Sequence, residues 1–125
     1  MKEKINDLTE EEWAKYRQAG LQATERHNYA EAEELLSVAL RSAEKTDARE
    51  SHMATSLIDL ARVYVRVEKF SDAEKNCAKA LNIRHAMHET NERAIADIFA
   101  VYAEIYLARD DYKNCLLYTS DAADE

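Results

Sequence analysis

The feature that most constrains the fold is an internal repeat. Residues 29–40, YAEAEELLSVAL, align with residues 70–81, FSDAEKNCAKAL, without a gap. The pairs that match at this constant offset are Tyr29 and Phe70, Ala32 and Ala73, Glu33 and Glu74, Ala39 and Ala80, and Leu40 and Leu81. A long, regular period is typical of stacked units, each built from a small number of helices.

The repeat extends into a third unit. Two columns of small or aromatic residues run through all three units: Gly20, Ala61 and Ala103, and Ala23, Tyr64 and Tyr106. The step between units is therefore about 41–42 residues, which is within the range of known helical repeats. The chain contains two complete units and the beginning of a third.

Each unit is predicted to be a pair of helices. Leu57, Leu60, Ala61 and Tyr64 recur at helical spacing, and Ala73, Cys77, Ala80 and Leu81 form a second apolar face after a short turn. The chain has one glycine and no proline, which also favours an all-α fold. We expect helices near residues 9–26, 29–45, 49–67, 71–87 and 91–109. Capping boxes at Thr9–Glu12 and Ser71–Glu74 are predicted to begin two of them.

The same faces predict the core. The residues expected to be largely buried are Leu36, Ala39, Leu40, Leu57, Leu60, Ala61, Tyr64, Ala73, Cys77, Ala80 and Leu81.

These columns resemble the tetratricopeptide repeat, a helix–turn–helix unit with small and aromatic residues in this order. The long period and the string AEKNCAKALNIR (73–84) are similar to the kinesin-light-chain type. The resemblance implies a right-handed α-α superhelix of antiparallel helix pairs. Its units cover about residues 10–48, 49–89 and an incomplete 90–114, within a repeat domain of residues 1–114.

The last eleven residues, CLLYTSDAADE (115–125), depart from the repeat. An Ala- and Glu-rich second helix is expected at this place. The segment instead resembles a transposase-type DNA sequencing adapter translated in frame. We therefore expect residues 115–125 to be a non-native tail and the natural protein to continue after Asn114. The 125-residue chain would then pair end to end through an uncovered third unit. Natural DNA recovered downstream of codon 114 tests this expectation.

Charge and composition exclude several classes of partner. The formal net charge is −8, from 17 basic and 25 acidic residues, so nucleic acid and anionic membranes are not expected as partners. The stretch IADIFAVYAEIYLA is broken by Asp97 and Glu104 and is too short to span a bilayer. With no signal-like segment at the N-terminus and two cysteines, the sequence predicts a cytoplasmic protein.

No catalytic, cofactor or metal site is predicted. A phosphate-binding loop needs more than one glycine, and His85 and His88 lack the further ligands that zinc requires. These two histidines are expected to be exposed at a helix end, and Cys77 to pack as a small hydrophobic residue. Trp13 is expected to cover the end of the stack rather than to anchor a ligand.

Binding through a concave groove is the function that such a stack implies. The groove positions derived from the columns are Arg17, Gln18, Leu21, Thr55, Asp59, Arg62, Arg66, Asp97, Val101 and Glu104. Arg62 and Arg66 lie one turn apart, so they could pair with an acidic peptide or with Asp59 or Asp97 across the groove.

The groove departs from both peptide-binding types known in the family. A clamp of Lys, Asn and Arg around a terminal carboxylate is replaced here by an acidic and apolar set. The family's Leu-Asn-Asn-Leu-Ala string corresponds here to LIDLA at 57–61 and to FAVYA at 99–103. Asp59 and Val101 therefore stand at the position where the family has an Asn that binds the peptide backbone. Asp accepts backbone N–H bonds but cannot donate as Asn does.

The leading hypothesis is a non-catalytic protein-interaction scaffold that binds a protein or peptide. One alternative is a regulatory or sensor repeat domain of a larger protein that carries an effector or catalytic domain. Another is an ordinary helical bundle without a ligand, which would pack convexly and form no groove.

Overall fold

The computed structural model describes the backbone of residues 2–87 and 92–124, and the side chains of residues 9–87, 92–111 and 113. Within these ranges the chain folds into five α-helices and no strand, which confirms the all-α prediction. The helices are α1 (Lys2–Glu25), α2 (Tyr29–Ala43), α3 (Arg49–Arg66), α4 (Phe70–Ala86) and α5 (Glu92–Asp124). None of them, over the residues described, is both long and apolar enough to cross a membrane.

The turn inside each helix pair repeats with the same period as the sequence. His27 and Glu68 occupy equivalent positions of the first two units, and both adopt the left-handed conformation, with φ of 62° and 63°. The next residue then donates its N–H to the carbonyl five positions back, at 2.9 Å for Asn28 and 2.8 Å for Lys69. This pattern satisfies the last carbonyls of α1 and α3 and reverses the chain. It places α2 against α1 and α4 against α3.

The first pair is packed closely through its small residues. Gly20 of α1 lies directly against Leu36 of α2, and a Cβ added at Gly20 would meet the Leu36 side chain at 2.6 Å. Ala32 and Ala39 of α2 are fully buried. Small residues in this column therefore bring the backbones of α1 and α2 together, as the repeat pattern predicts.

Helix α3 lies at the centre of the molecule and contacts all four other helices. One core cluster joins it to the first pair and contains Ala23, Ala32, Leu36, Leu60 and Val63. A second cluster joins α3, α4 and α5 and contains Ala54, Leu57, Ile58, Ala61, Ala73, Cys77, Ala80, Ile98, Val101 and Ile105. Leu40 and Tyr64 pack against both clusters, which makes the two parts of the core continuous.

Of the eleven residues predicted to be largely buried, eight are buried and three are only partly buried. Leu40, Tyr64 and Leu81 are only partly buried, although each packs on a core cluster. All three are large side chains at the edge of an apolar stripe, where one side of the residue remains open to solvent.

Both predicted capping boxes are wrong. Helix α1 begins at Lys2, so Thr9 and Glu12 lie inside it. Helix α4 begins at Phe70 after Lys69, which makes no side-chain capping bond, so Ser71 is already helical. The repeat begins each second helix at its aromatic residue, and this tertiary requirement overrides the local capping signal.

A side-chain cap is found instead at the start of α2. The Asn28 side-chain oxygen accepts the backbone N–H of Glu31 at 3.4 Å, and its amide donates to the Glu31 carboxylate at 2.7 Å. Asn is among the preferred N-cap residues because its short side chain reaches these N–H groups.

The helix break expected near Asp110 does not occur, because α5 continues to Asp124. By the repeat, Asp110 would take the left-handed conformation of His27 and Glu68. Asp tolerates that conformation better than most residues other than glycine, so the residue type at this position does not explain why α5 continues. The side chains of the proposed non-native segment 115–125 lie outside the described residues, so its origin stays a prediction.

Candidate functional site

A small pocket lies where α1, α3, α4 and α5 approach one another. Its volume is about 80 Å³, and its polar lining consists of Arg17, Thr55, Asp59, Arg62, Arg84 and Asp97. Five of these six side chains were predicted as groove residues from the repeat columns. The floor of the pocket is apolar, with Ala54, Ile58 and Ile98 from the second core cluster.

An ion pair between α1 and α3 forms one wall of this pocket. The Nε of Arg17 donates to Oδ2 of Asp59 at 2.7 Å, and Nη2 donates to Oδ1 at 3.5 Å. Asp59 is only 3% exposed, whereas the Arg17 side chain remains one-third open to solvent. Burial raises the pKa of the Asp59 carboxyl above its ordinary value, although the hydrogen bond and charge of Arg17 and the charge of Arg62 oppose the shift.

This ion pair bears on one of the two readings left open by the sequence. In that reading, Arg62 and Arg66 pair with Asp59 or Asp97 rather than with an acidic peptide. The structure pairs Asp59 with Arg17 of the neighbouring helix instead. The Asp59 carboxylate therefore lies between α1 and α3, and both of its oxygens accept hydrogen bonds from Arg17 rather than from a bound peptide.

Arg84 is the pocket residue that sequence reasoning missed. It lies in the last turn of α4 and is 8% exposed. Its Nη1 donates to Oγ of Ser51 at 3.2 Å, and its Nη2 donates to Oγ1 of Thr55 at 3.3 Å. The guanidinium therefore reaches across to α3 and adds positive charge to the pocket. The sequence does contain a signal for the burial of Arg84, because this residue lies four positions after Ala80 and therefore on the same buried face of α4.

The other predicted groove residues are dispersed. Gln18 is exposed on a shallow surface of α1 beside Lys15 and Gln22, away from the pocket. Arg66 and Glu104 are exposed and do not line the pocket. Leu21 is partly buried.

The prediction for Val101 is wrong. This residue is fully buried with Ile98 and Ile105 in the second core cluster. The three residues form the stripe through which α5 packs on the rest of the core, and that stripe turns Val101 away from the groove.

A second cluster of polar and aromatic residues joins α1 to the beginning of α3. The Trp13 ring stacks on His52 with centroids 3.7 Å apart, and its Nε1 donates to Oγ of Ser56 at 2.9 Å. The Arg17 guanidinium lies 5.8 Å from the Trp13 ring centroid. Trp13 therefore packs between two helices, and the prediction that it covers the end of the stack is wrong.

His52 lies between the loop after α2 and helix α1. The Thr46 hydroxyl donates to the carbonyl of Ala43 at 2.8 Å, and its oxygen lies 3.0 Å from Nδ1 of His52. Nε2 of His52 faces Glu10 of α1, with 3.6 Å between Nε2 and Oε2. Sequence reasoning missed this arrangement because it depends on how α1 packs against the beginning of α3.

The remaining residues considered for chemistry occupy ordinary positions. Cys77 is a fully buried thiol, and burial raises its pKa to about 11, so it packs as predicted and is not a thiolate nucleophile at neutral pH. His85 is exposed as predicted, while His88 lies outside the described residues. Across the part of the chain that is described, no three His, Cys, Asp or Glu side chains are arranged to hold a metal ion.

The fold and pocket together define an all-helical protein with a small, mostly polar pocket between its helices. Comparison with protein-family models, curated proteins and solved structures finds no match for this chain.

Proposed function

We propose that this chain is a non-catalytic protein-interaction module of the tetratricopeptide type, a right-handed stack of antiparallel helix pairs. It binds a peptide along the side lined by α1, α3 and α5. The turns at His27 and Glu68 share the same φ and the same hydrogen bonds at equivalent positions of two units, and this repetition supports the proposal at the level of the fold.

The observation that carries the binding proposal is the convergence of groove positions from three different helices on one pocket. The repeat columns predict groove positions at Arg17 of α1, Thr55 and Arg62 of α3, and Asp97 of α5, and these four residues line the pocket. The Arg17–Asp59 pair fixes α1 against α3 before any partner binds. A wall that is already ordered reduces the entropy lost when a peptide is bound.

The charges of the pocket favour an acidic side chain on the partner. Three guanidinium groups, those of Arg17, Arg62 and Arg84, line the pocket together with the carboxylates of Asp59 and Asp97, and Arg17 is paired with Asp59. Arg62 is exposed at the rim, so it is accessible to a Glu or Asp of an extended peptide. The pocket volume of about 80 Å³ suits one such side chain rather than a larger ligand.

The proposal is tested with an array of extended peptides that differ in the number and position of Glu and Asp. We expect the chain to bind a subset of acidic peptides, and Arg62→Glu to weaken that binding at least tenfold. Arg41→Glu on α2 is the matched control, because Arg41 is exposed and does not line the pocket. Equal binding by both variants and the unchanged chain, with circular dichroism showing that all are folded, would contradict the proposal.

A further inference from the structure

One wall of the pocket sets a carboxylate of the chain itself against an arginine that lines the pocket. Asp59 is 3% exposed, and its two oxygens accept hydrogen bonds from Nε and Nη2 of Arg17 at 2.7 and 3.5 Å. A guanidinium recognises an acidic side chain through paired bonds of this kind. Asp59 therefore occupies the two donors of Arg17 that a partner's carboxylate would use in the same way.

The charged groups around Asp59 come from every helix that borders the pocket. Arg17 of α1 bonds to the carboxyl, and the charge of Arg62 of α3 also acts on it. Arg84 of α4 and Asp97 of α5 line the same pocket. Because Asp97 is exposed, water and salt screen its charge, whereas the buried charge of Asp59 is screened much less. Of the two pocket carboxylates, Asp59 is therefore the one that opposes a bound anion more strongly.

We propose that Asp59 is an internal competitor for the acidic side chain of the partner, and that uptake of a proton by Asp59 strengthens binding at the pocket. This regulation of the site rests on the function proposed above. It makes the affinity for an acidic peptide depend on the charge of one buried residue.

The surroundings of Asp59 favour uptake of a proton. Removal from water raises the pKa of its carboxyl above the ordinary value, against the opposing hydrogen bond and charge of Arg17 and the charge of Arg62. An anionic side chain bound in the same small pocket favours the protonated form further, because it repels a second negative charge. Peptide and proton therefore bind cooperatively, and each increases the affinity for the other by the same factor.

Neutral Asp59 would not release Arg17 from the wall of the pocket. Nε1 of Trp13 in α1 donates to Oγ of Ser56 in α3 at 2.9 Å, and the Trp13 ring centroid lies 5.8 Å from the Arg17 guanidinium. These contacts keep α1 against α3 and Arg17 beside the pocket when its carboxylate partner loses its charge. The charge of Arg17 then acts on the acidic side chain of the partner.

The test uses the acidic peptides that bind in the array described above, resynthesised with cysteic acid in place of Asp and Glu. The sulfonate of cysteic acid stays ionised in acid, so the probe keeps its charge while the carboxyl of Asp59 titrates. Dissociation constants are measured by fluorescence anisotropy from neutral pH down to about pH 4.5, and circular dichroism verifies the fold at each pH.

Asp59→Asn is the variant that imitates the protonated side chain. Asn keeps an oxygen that accepts a hydrogen bond from Arg17 but carries no charge. At neutral pH we expect this variant to bind the probe about fivefold or more tightly than the unchanged chain, the lower end of ordinary coupling between two ligands. The advantage shrinks as the pH falls, because Asp59 of the unchanged chain gains its proton. Asp97→Asn, which removes the exposed carboxylate of the same pocket, is the matched control, with a gain below about twofold.

A second measurement needs no variant. Calorimetric titration of the unchanged chain with the cysteic acid probe, in two buffers that differ in ionisation enthalpy, gives the number of protons taken up on binding. We expect net uptake near about pH 5, since the bound sulfonate favours protonated Asp59. Binding without proton uptake at any pH would overturn the proposal.

Failure of the competition and failure of the proposed function give different results. If Arg62→Glu weakens binding but Asp59→Asn binds no more tightly than the unchanged chain, the pocket binds acidic peptides and Asp59 does not compete with them. Weaker binding by Asp59→Asn would show that the charge of Asp59 is needed to position Arg17. An advantage that stays constant as the pH falls would exclude proton uptake as its cause. Absence of binding by both chains at every pH would contradict the proposed function together with the competition.

Discussion

At the scale of single residues, the most informative group is the carboxylate of Asp59. It is removed from water and bonded by Arg17 of the neighbouring helix α1. Removal of a carboxylate from water favours its neutral form, while the guanidinium favours the charged form. Burial dominates here, so the pKa of Asp59 lies above 3.8, its ordinary value.

We predict that Asp59→Asn changes how stability depends on pH. Because the folded carboxyl holds its proton more tightly than the unfolded one, the contribution of Asp59 to stability falls as pH rises from 3.8 through the folded pKa. The free energy of unfolding of the variant, relative to the unchanged chain, therefore rises with pH across this window. Urea titrations at several pH values measure it. Asp47→Asn, at an exposed loop position, serves as the control, and a parallel pH profile for both variants would refute the assignment.

The repeat columns predict which face of a helix a residue occupies, but they do not predict its partner. Four of the residues that they assign to the groove, Arg17, Asp59, Arg62 and Asp97, line one pocket. The contacts of Trp13 with His52 and of Arg84 with Thr55 depend on how far each long side chain reaches across a helix interface. That distance is set by the crossing of two helices, which a single sequence does not specify.

At the scale of elements, the turns show both a success and an error of the sequence prediction. The helix boundaries at 25–29 and 66–70 were predicted to within one position because the aromatic columns mark them. The left-handed residues His27 and Glu68 are unfavourable locally, and burial of Ala32 and Ala73 in the following helices offsets that cost. At Asp110 no such turn forms, and α5 continues.

We predict that Glu68→Gly stabilises the chain by about 0.5 kcal/mol, because glycine adopts a positive φ without steric cost. His27→Gly gains less, since it also removes the 2.7 Å hydrogen bond between the His27 ring and the Tyr29 hydroxyl. Glu44→Gly is the matched control and destabilises by up to about 1 kcal/mol, because Glu44 has an ordinary φ of −61° at the end of α2. Thermal and urea unfolding give all three values. A destabilised Glu68→Gly variant would show that the turn is not strained there.

At the scale of the whole molecule, the continuity of the core determines how the chain unfolds. Helix α3 contributes Leu60 and Val63 to one cluster and Leu57, Ile58 and Ala61 to the other. Since Leu40 and Tyr64 contact both, neither cluster can open without exposing apolar surface of its neighbour. Stacked helix pairs unfold separately when little apolar surface joins them, and here Leu60 and Val63 of α3 pack on the first pair.

We therefore predict that Leu60→Ala destabilises the entire chain rather than one helix pair. Leu60 is 2% exposed and packs with Leu36 and Val63, so its truncation leaves a cavity that costs about 2–5 kcal/mol. Urea unfolding is followed by the fluorescence of Trp13, which reports the contact between α1 and α3, and by circular dichroism, which reports all helices. The two transitions should coincide in both proteins and shift together in the variant. Leu107→Ala, at a side chain that is 67% exposed, should change stability by less than about 0.5 kcal/mol. If the fluorescence transition shifts while a separate helical transition stays in place, the two clusters unfold independently and the single continuous core is disproved.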